Sequence, residues 1–392
     1  MPQGGVILYS AAFIVKEIIM ASLIDKIVQK FNNSDVIKFS DKDSFTECKS
    51  WCHTGSPTLD YNLKTFGLPT GIIEIAGKSR SGKTTLGLMA MKYFLKENPD
   101  NGIAVILSSE NRDNKDYALQ LGMDVDKIII VKIRYVEKMF MMVKKLLEDV
   151  DEMFEKENLG KAKFFFLWDS LGATLSKSEL ETMEENTEMM SKKFDRGEDI
   201  SDLKHEKVGA FAKSAKMFSK FILGEMYSRV IHFVMLNHQY DSIGGMGVAT
   251  RVSTGGEWVQ LMPCIRLSMK LIGHEKIDDE EVAQITEVKV VKNDFGSRKK
   301  TNIRILLGYG IILSDDDIEY ALENGILQKE GVKKISFMNG KLYWKSPREL
   351  FGLYYTHNKY LSVLHTKIKS AMQKDLMKEK SNMRNKEESD EK

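Results

Sequence analysis

An α/β doubly wound domain with a mostly parallel central sheet is the fold class this sequence predicts, and three observations carry it. Short, almost wholly apolar runs, rich in Ile, Val and Phe and broken only by Glu74 and His232, recur at 72–76, 103–107, 128–131, 164–168 and 230–236. Apolar runs of that length without polar alternation are how strands covered on both faces read. Helical patterns separate them, including 86–95 and 136–154, and strand–helix alternation is the mark of crossover connections in a parallel sheet. The first run leads directly into "GKSRSGKTT", Gly77 to Thr85. That G-x-x-x-x-G-K-T pattern stands between strand and helix, where a glycine-rich loop cradles phosphates.

Taken in order, residues 1–20 are apolar, but Lys16 and Glu17 interrupt them and a membrane span needs about 20 clean residues. No cationic start or small-residue cleavage site marks a leader. The segment reads as an amphipathic helix, or as an extension ahead of a start at Met20. A short helical pattern at 23–31 gives way to polar residues up to Trp51. "HTGSPTLDYNL", from His53 to Leu63, reads as a turn entering a helix, with Ser56 or Thr58 as cap. Past the five strand runs, further strands are predicted at 264–271, 286–292 and 302–306. A small region begins near Ser314 and contains "SFMNGKLYW", where Asn339-Gly340 suits a two-residue type I′ hairpin turn. Beyond Lys374 the chain is charged and nearly free of large apolar residues, which predicts a disordered tail.

The chain has 392 residues, 42% hydrophobic and 29% charged, with a formal net charge of +2. So balanced a charge excludes a global attraction to nucleic acid, and any such contact must be local. Three cysteines, Cys48, Cys52 and Cys264, are too few for a disulfide framework and fit a reducing cytoplasm. Cys48, Cys52 and His53 lack a fourth ligand for zinc.

The chemistry concentrates at strand ends. Backbone N–H groups of Gly77, Lys78, Ser79, Arg80, Ser81 and Gly82 are placed to close around phosphates, and the following helix adds its positive dipole end. Lys83 reaches the β/γ-phosphates, and the hydroxyl of Thr84, next to Thr85, ligates Mg²⁺. Asp169 ends "FFFLWD", where a second Mg²⁺-directed group belongs; a helix N-cap is the plainer alternative. Glu110 ends another strand at the carboxyl edge where ligands of such sheets gather, either as the group that activates water or as a solvated loop acid. In the pattern around 211–222, Phe211, Ala215, Phe218 and Ile222 share one face, and Lys213, Lys216 and Lys220 share the solvent side.

Together with "SSENRDNKDYALQLGMD", "WDSLGA", "FVMLNH", "STGG" (Ser253 to Gly256) and "VKVVKN" (Val288 to Asn293) in that order, these motifs resemble the RecA family of recombinases. The resemblance covers residues 53–307, more weakly from Leu23, and looks closest to phage UvsX-type recombinases. It implies a RecA-like ATPase core at 51–313, an N-terminal extension with a helical polymerisation segment at 1–50, a small α+β region at 314–373 and a tail at 374–392. ATP and Mg²⁺ are the implied cofactors. Glu110 matches the family's catalytic glutamate, and Tyr117 the aromatic that stacks on adenine. Asn114 stands where bacterial RecA has an aspartate facing the adenine amino group. His238 occupies a switch position that senses the γ-phosphate. Lys292 matches a lysine that reaches the neighbouring subunit's phosphates. Asp294 stands at the position of the family's second basic residue, so either Arg298 or Lys299 substitutes for it or Lys292 is the trans cation alone.

The Gly/Ser/Thr-rich stretch 239–257 reads as a long surface loop. By resemblance it is the second DNA-binding loop, with Ile243, Gly244, Gly245, Met246, Arg251, Ser253, Gly255 and Gly256 as contacts. The first such loop falls within 176–208, here long and acidic, with Lys192, Lys193 and Arg196 as its contacts. The implied function is ATP-dependent homologous pairing and strand exchange by helical filaments on single-stranded DNA. Implied partners are that strand, a homologous duplex, further copies of the chain, and single-strand binding and loader proteins, with no membrane. Two other readings use the same core: a helicase motor in a closed ring, and a non-catalytic, ATP-switched filament or mediator protein.

Overall fold

The computed structural model describes residues 50–110, 114–196, 209–243, 249–331 and 333–390, together with Lys26 and Gln29, which are helical. Residues 1–49 form a unit of their own, so the implied polymerisation segment lies almost wholly outside the described residues.

The second unit begins with a short pairing of β1 (Trp51–Cys52) and β2 (Leu68–Pro69) that brackets α1 (Pro57–Leu63). Ser56 caps α1 by accepting the Leu59 N–H, one of the two predicted caps. Then follow β3 (Gly71–Gly77), α2 (Lys83–Glu97), β4 (Gly102–Ser108), α3 (Lys115–Gln120), β5 (Ile128–Lys132), α4 (Val136–Lys156) and β6 (Lys163–Asp169). Next come α5 (Lys177–Asp195), α6 (Ala210–Glu225), β7 (Val230–Ile243), β8 (Ala249–Ser253), α7 (Trp258–Leu261), β9 (Ile265–Ile277), β10 (Glu280–Asn293), β11 (Lys300–Leu306) and β12 (Gly310–Ile312).

These strands build one sheet in the order β12-β11-β10-β9-β3-β7-β6-β4-β5, with β8 paired to β7. From β9 to β5 every neighbour is parallel, while β10, β11 and β12 extend the sheet antiparallel. The predicted mostly parallel sheet is therefore present. The runs at 72–76, 103–107, 164–168 and 230–236 lie in strands covered on both faces, whereas the run at 128–131 forms the edge strand β5, where Ile129 and Ile130 stay exposed. On β6, Phe165 and Leu167 pack with α2, whereas Phe164, Phe166 and Trp168 pack with α4 and α6. Truncating one of these buried rings to Ala costs about 3–5 kcal/mol.

Three expectations are corrected. The stretch 239–257 is not an unstructured loop: Gln239–Ile243 pairs antiparallel with Ala249–Ser253 as a hairpin continuing β7. The connection in "SFMNGKLYW" is not a two-residue turn. Strands β14 (Lys334–Phe337) and β15 (Leu342–Trp344), which with β13 (Gln328–Glu330) form a small sheet, leave four residues between Phe337 and Leu342. Met338, Asn339 and Gly340 all take positive φ there (52°, 55° and 83°).

The disordered tail from Lys374 is also corrected. After α8 (Asp315–Glu323) and α9 (Pro347–Tyr355), α10 runs unbroken from Lys359 to Asp390. Leu364, Ile368, Met372 and Leu376 recur at helical spacing and are buried. Asp375 accepts from the Tyr320 hydroxyl at 2.5 Å, and Glu379 accepts from the Tyr61 hydroxyl at 3.0 Å while pairing with Lys64. Polar anchors hold the helix where apolar ones run out.

Candidate functional site

Parallel register assembles the site. It sets Gly77 of β3 beside His238 of β7 and Met269 of β9, and Ser108 of β4 beside Asp169 of β6. Five positions, on β3, β7, β9, β4 and β6, thus converge toward the edge of the sheet where the parallel strands β3, β4 and β6 end, the edge where α/β proteins bind ligands.

The loop after β3 owes its path to its glycines. Gly82 adopts φ 85° as α2 begins. A Cβ there would strike Ile305 Cδ1, and one at Gly77 would come within 2.6 Å of the Met269 carbonyl oxygen. Lys83 folds back into the loop, its Nζ donating to the Lys78 carbonyl at 2.9 Å. Burial lowers its pKa, while the Asp169 and Glu110 carboxylates oppose that shift. The Thr84 hydroxyl donates to Asp169 Oδ2 at 3.2 Å. Glu110 Oε1 lies 3.2 Å from His238 Nε2 and accepts from the Ser170 hydroxyl.

Beside Thr84 and Asp169 opens a cavity of about 230 Å³ walled by Leu88, Ile106, Tyr117, Val125, Ile130 and Leu167, with Asn114, Lys115 and Asp126 as polar members. The Tyr117 hydroxyl bonds Thr85 Oγ1 at 2.6 Å, and burial pushes its pKa up. Asn114 caps α3: its Oδ1 accepts the Tyr117 N–H at 3.0 Å. An apolar slot opening onto a phosphate loop has the layout of a nucleotide site.

The residues present fit a nucleotide with Mg²⁺. The buried Ser81 hydroxyl, within the loop, finds no hydrogen-bond partner among the described residues and so has a donor to spare. Thr84 and Asp169 offer the hard oxygen set that Mg²⁺ uses alongside substrate phosphates. Among the described residues no three His, Cys, Asp or Glu side chains gather for a metal.

Comparison with known proteins agrees with this geometry. The RecA N-terminal domain family matches residues 18–163. The chain carries a RecA-like domain. It is 28% identical to RecA of Chlorobium limicola over 310 residues, 79% of each chain. It is 27% identical to RecA of Bacteroides thetaiotaomicron over 314 residues, covering 80% of this chain and 84% of that one. For RecA of Ruegeria pomeroyi the identity is 26% over 318 residues, 81% and 82% of the two chains.

Within the RecA-like domain, Gly77 to Thr85, Glu110, Asn114, Tyr117, Asp169 and His238 are brought together. Lys292 is not among them. It lies two strands from β3, opposite Arg266, and its Nζ donates to the Leu261 carbonyl at 2.9 Å and sits 3.5 Å from Asp294. Of the hairpin residues, Gly244, Gly245 and Met246 lie outside the described residues, as do the side chains of Ile243, Arg251 and Ser253. Gly255 and Gly256 take φ 109° and 80°, and a Cβ on Gly255 would meet Val259 and Leu171 at 2.6 and 2.8 Å. Among the expected first-loop contacts, Lys192 and Lys193 lie in the last turn of α5, and Arg196 is its C-cap. Among the described residues no helix is long and apolar enough to cross a membrane.

Sequence reasoning missed two parts. Ser170, which holds Glu110, stands 60 positions from it. Glu74, buried in β3, bonds Arg266 Nε at 2.6 Å and Asn237 Nδ2 at 2.8 Å, and Asn237 also donates to the Thr254 carbonyl at 2.8 Å. An acid inside an otherwise apolar run was the available signal, since a buried charge demands a partner.

Proposed function

We propose that the chain is a DNA-dependent ATPase that assembles as a helical filament on single-stranded DNA, pairs that strand with a homologous duplex and exchanges strands. The observation that carries this reading is the Glu110–His238 contact at 3.2 Å. It joins the group best placed to activate water to the strand that continues as the glycine-rich hairpin.

In this reading the loop's N–H groups and Lys83 hold the ATP phosphates, and adenine enters the cavity against Tyr117 and Asn114. Mg²⁺, held by Thr84 and Asp169, would neutralise charge on the phosphates. Glu110 takes the proton of the attacking water, and Ser170 and His238 fix its carboxylate. Loss of the γ-phosphate changes what His238 faces, and the backbone of β7 carries that change into the hairpin. With Gly255 and Gly256 beside it, the hairpin is suited to grip a DNA backbone through main-chain N–H groups. Lys292 serves the neighbouring protomer's phosphates. The histidine after "LN" is the feature that likens the chain to phage UvsX-type recombinases.

The test is ATP turnover with and without single-stranded DNA for the unchanged chain and Glu110→Gln. Turnover is expected to rise with DNA and to fall about 10²–10⁴-fold in the variant, which still binds ATP. Unchanged turnover in Glu110→Gln removes the catalytic assignment. Electron microscopy with ATP and single-stranded DNA separates a filament from a closed ring.

A further inference from the structure

Helices α5 and α6 each expose a face that the site above does not use. Between Ser178 and Ser191, α5 carries Glu179, Glu181, Glu184, Glu185 and Glu188 and no cation. Its capping box at Ser176 and Glu179 fixes its start. Met183, Met190 and Phe194 recur at helical spacing as a stripe beside the acids, and Phe194 is 79% exposed. Met and Phe are side chains that interfaces favour. The cations opposite Glu181, Glu184 and Glu188 are Lys177, Arg134 and Lys192, all in solvent-exposed pairs. Such pairs are weak and exchange readily.

The other face is on α6. Ala215, Phe218 and Ile222 are buried against the sheet. Lys213, Lys216, Met217 and Lys220 fall on the opposite side at i, i+3, i+4 and i+7, and Met217 is 63% exposed. Among the described residues these three lysines make no ion pair. Each helix thus presents one row of like charge edged by exposed methionine, and the two rows have opposite sign. Among the described residues no ion pair joins one row to the other.

We propose that the acidic face of α5 docks on the basic face of α6 in a second copy of this chain. The contact is heterologous, using different patches on the two copies, so it repeats from copy to copy and leads to a filament or ring rather than a closed dimer. Charge complementarity sets register and orientation, and the Met and Phe side chains supply the apolar contact. A nucleic acid on the lysine row is the competing occupant. The proposal rests on the self-assembling reading above and adds which surfaces meet.

The experiment reverses each row. One variant carries Lys213→Glu, Lys216→Glu and Lys220→Glu; a second carries Glu181→Lys, Glu184→Lys and Glu188→Lys; a third carries all six changes. Assembly with ATP on poly(dT) is followed by sedimentation and electron microscopy, with circular dichroism and ATP affinity reporting the fold. Each triple variant alone sets like charge against like and is expected to need about tenfold more protein for half-maximal assembly. An equal mixture of the two triple variants restores opposite charges at every alternating contact, as does the six-change chain in itself. Both are expected to return toward the unchanged protein.

Assembly indifferent to both reversals overturns the proposal while leaving the filament reading standing. A lysine-reversed variant that loses poly(dT) binding, with no recovery in the mixture or the six-change chain, assigns the row to nucleic acid and overturns it too. If the unchanged chain does not assemble at all, the filament reading falls and this interface with it.

Discussion

Single residues in this molecule are set against their surroundings in ways that titration and substitution can read. Lys83 is buried among loop carbonyls with the Asp169 and Glu110 carboxylates near. Lys83→Ala leaves those acids without their cation and is expected to abolish ATP binding, as measured by nucleotide titration. His232 is the opposite case: fully buried in β7, it donates its Nδ1–H to the Pro69 carbonyl at 3.0 Å, and Nε2 has no hydrogen-bond partner among the described residues. Burial pushes its pKa from 6.5 down to about 4. The unfolded chain regains the ordinary value, so on acidification it binds the proton first. The stability His232 contributes as a neutral ring is therefore complete above pH 6.5 and is lost as pH falls toward 4, by up to about 3 kcal/mol. Denaturant titrations at pH 7.5 and 4.5 are expected to show that loss, reduced in His232→Gln; parallel pH slopes would mean that the imidazole is not held neutral. Arg266→Ala strands the buried Glu74 carboxylate and is expected to cost about 3–5 kcal/mol in the same measurement. The phosphate loop was legible because its residues are contiguous. The Glu74–Arg266 pair, 192 positions apart, was not, because only the sheet brings its members together.

At the scale of elements, α10 offers a direct test. Ending the chain after Lys374 removes Asp375, Leu376 and Glu379, hence one buried side chain and the bonds to Tyr320, Tyr61 and Lys64. That truncation is expected to cost about 2–4 kcal/mol, visible as a lower Tm. Ending it after Asn382 is expected to change stability by less than about 0.5 kcal/mol. Equal Tm values for the two truncations would return the segment to the status of a tail. The contrast explains what the sequence could disclose. Strands β3 to β7 announced themselves because their runs are apolar almost throughout, with only Glu74 and His232 as polar members. The far end of α10 is held by hydroxyls and a lysine, two of them more than 300 positions away, and local composition carries no trace of such partners. The hairpin of β7 and β8 stayed hidden for a related reason. Gly, Ser and Thr mark the stretch as loop, and what makes Gln239–Ile243 and Ala249–Ser253 strands is continuation of a ladder begun in the core at Val230.

The whole molecule, in the proposed filament, must complete its chemistry between copies, and Lys292 is where that can be tried. Its ammonium lies two strands from the phosphate loop of its own chain, held by the Leu261 carbonyl and Asp294. A cation in that place has no part in its own chain's site unless the copies share sites. If it reaches a neighbour's γ-phosphate, it stabilises the charge that develops during transfer, an effect worth large rate factors in phosphoryl-transfer enzymes. Lys292→Ala is then expected to keep ATP affinity and lose most DNA-stimulated turnover, while Glu110→Gln is inactive for want of its base. When the two variants are mixed, some contacts join Glu110 of one copy to Lys292 of the next. Random mixing makes about a quarter of the heterologous interfaces complete in this way. The mixture should therefore hydrolyse ATP faster than either variant alone, with a rate that depends on the mixing ratio and peaks near equal amounts. Co-assembly on DNA, checked by labelling each variant, with no rate above the separate proteins would mean that Lys292 does not act across the interface. A cation reaching across would then have to be Arg298 or Lys299, the basic residues that follow β10.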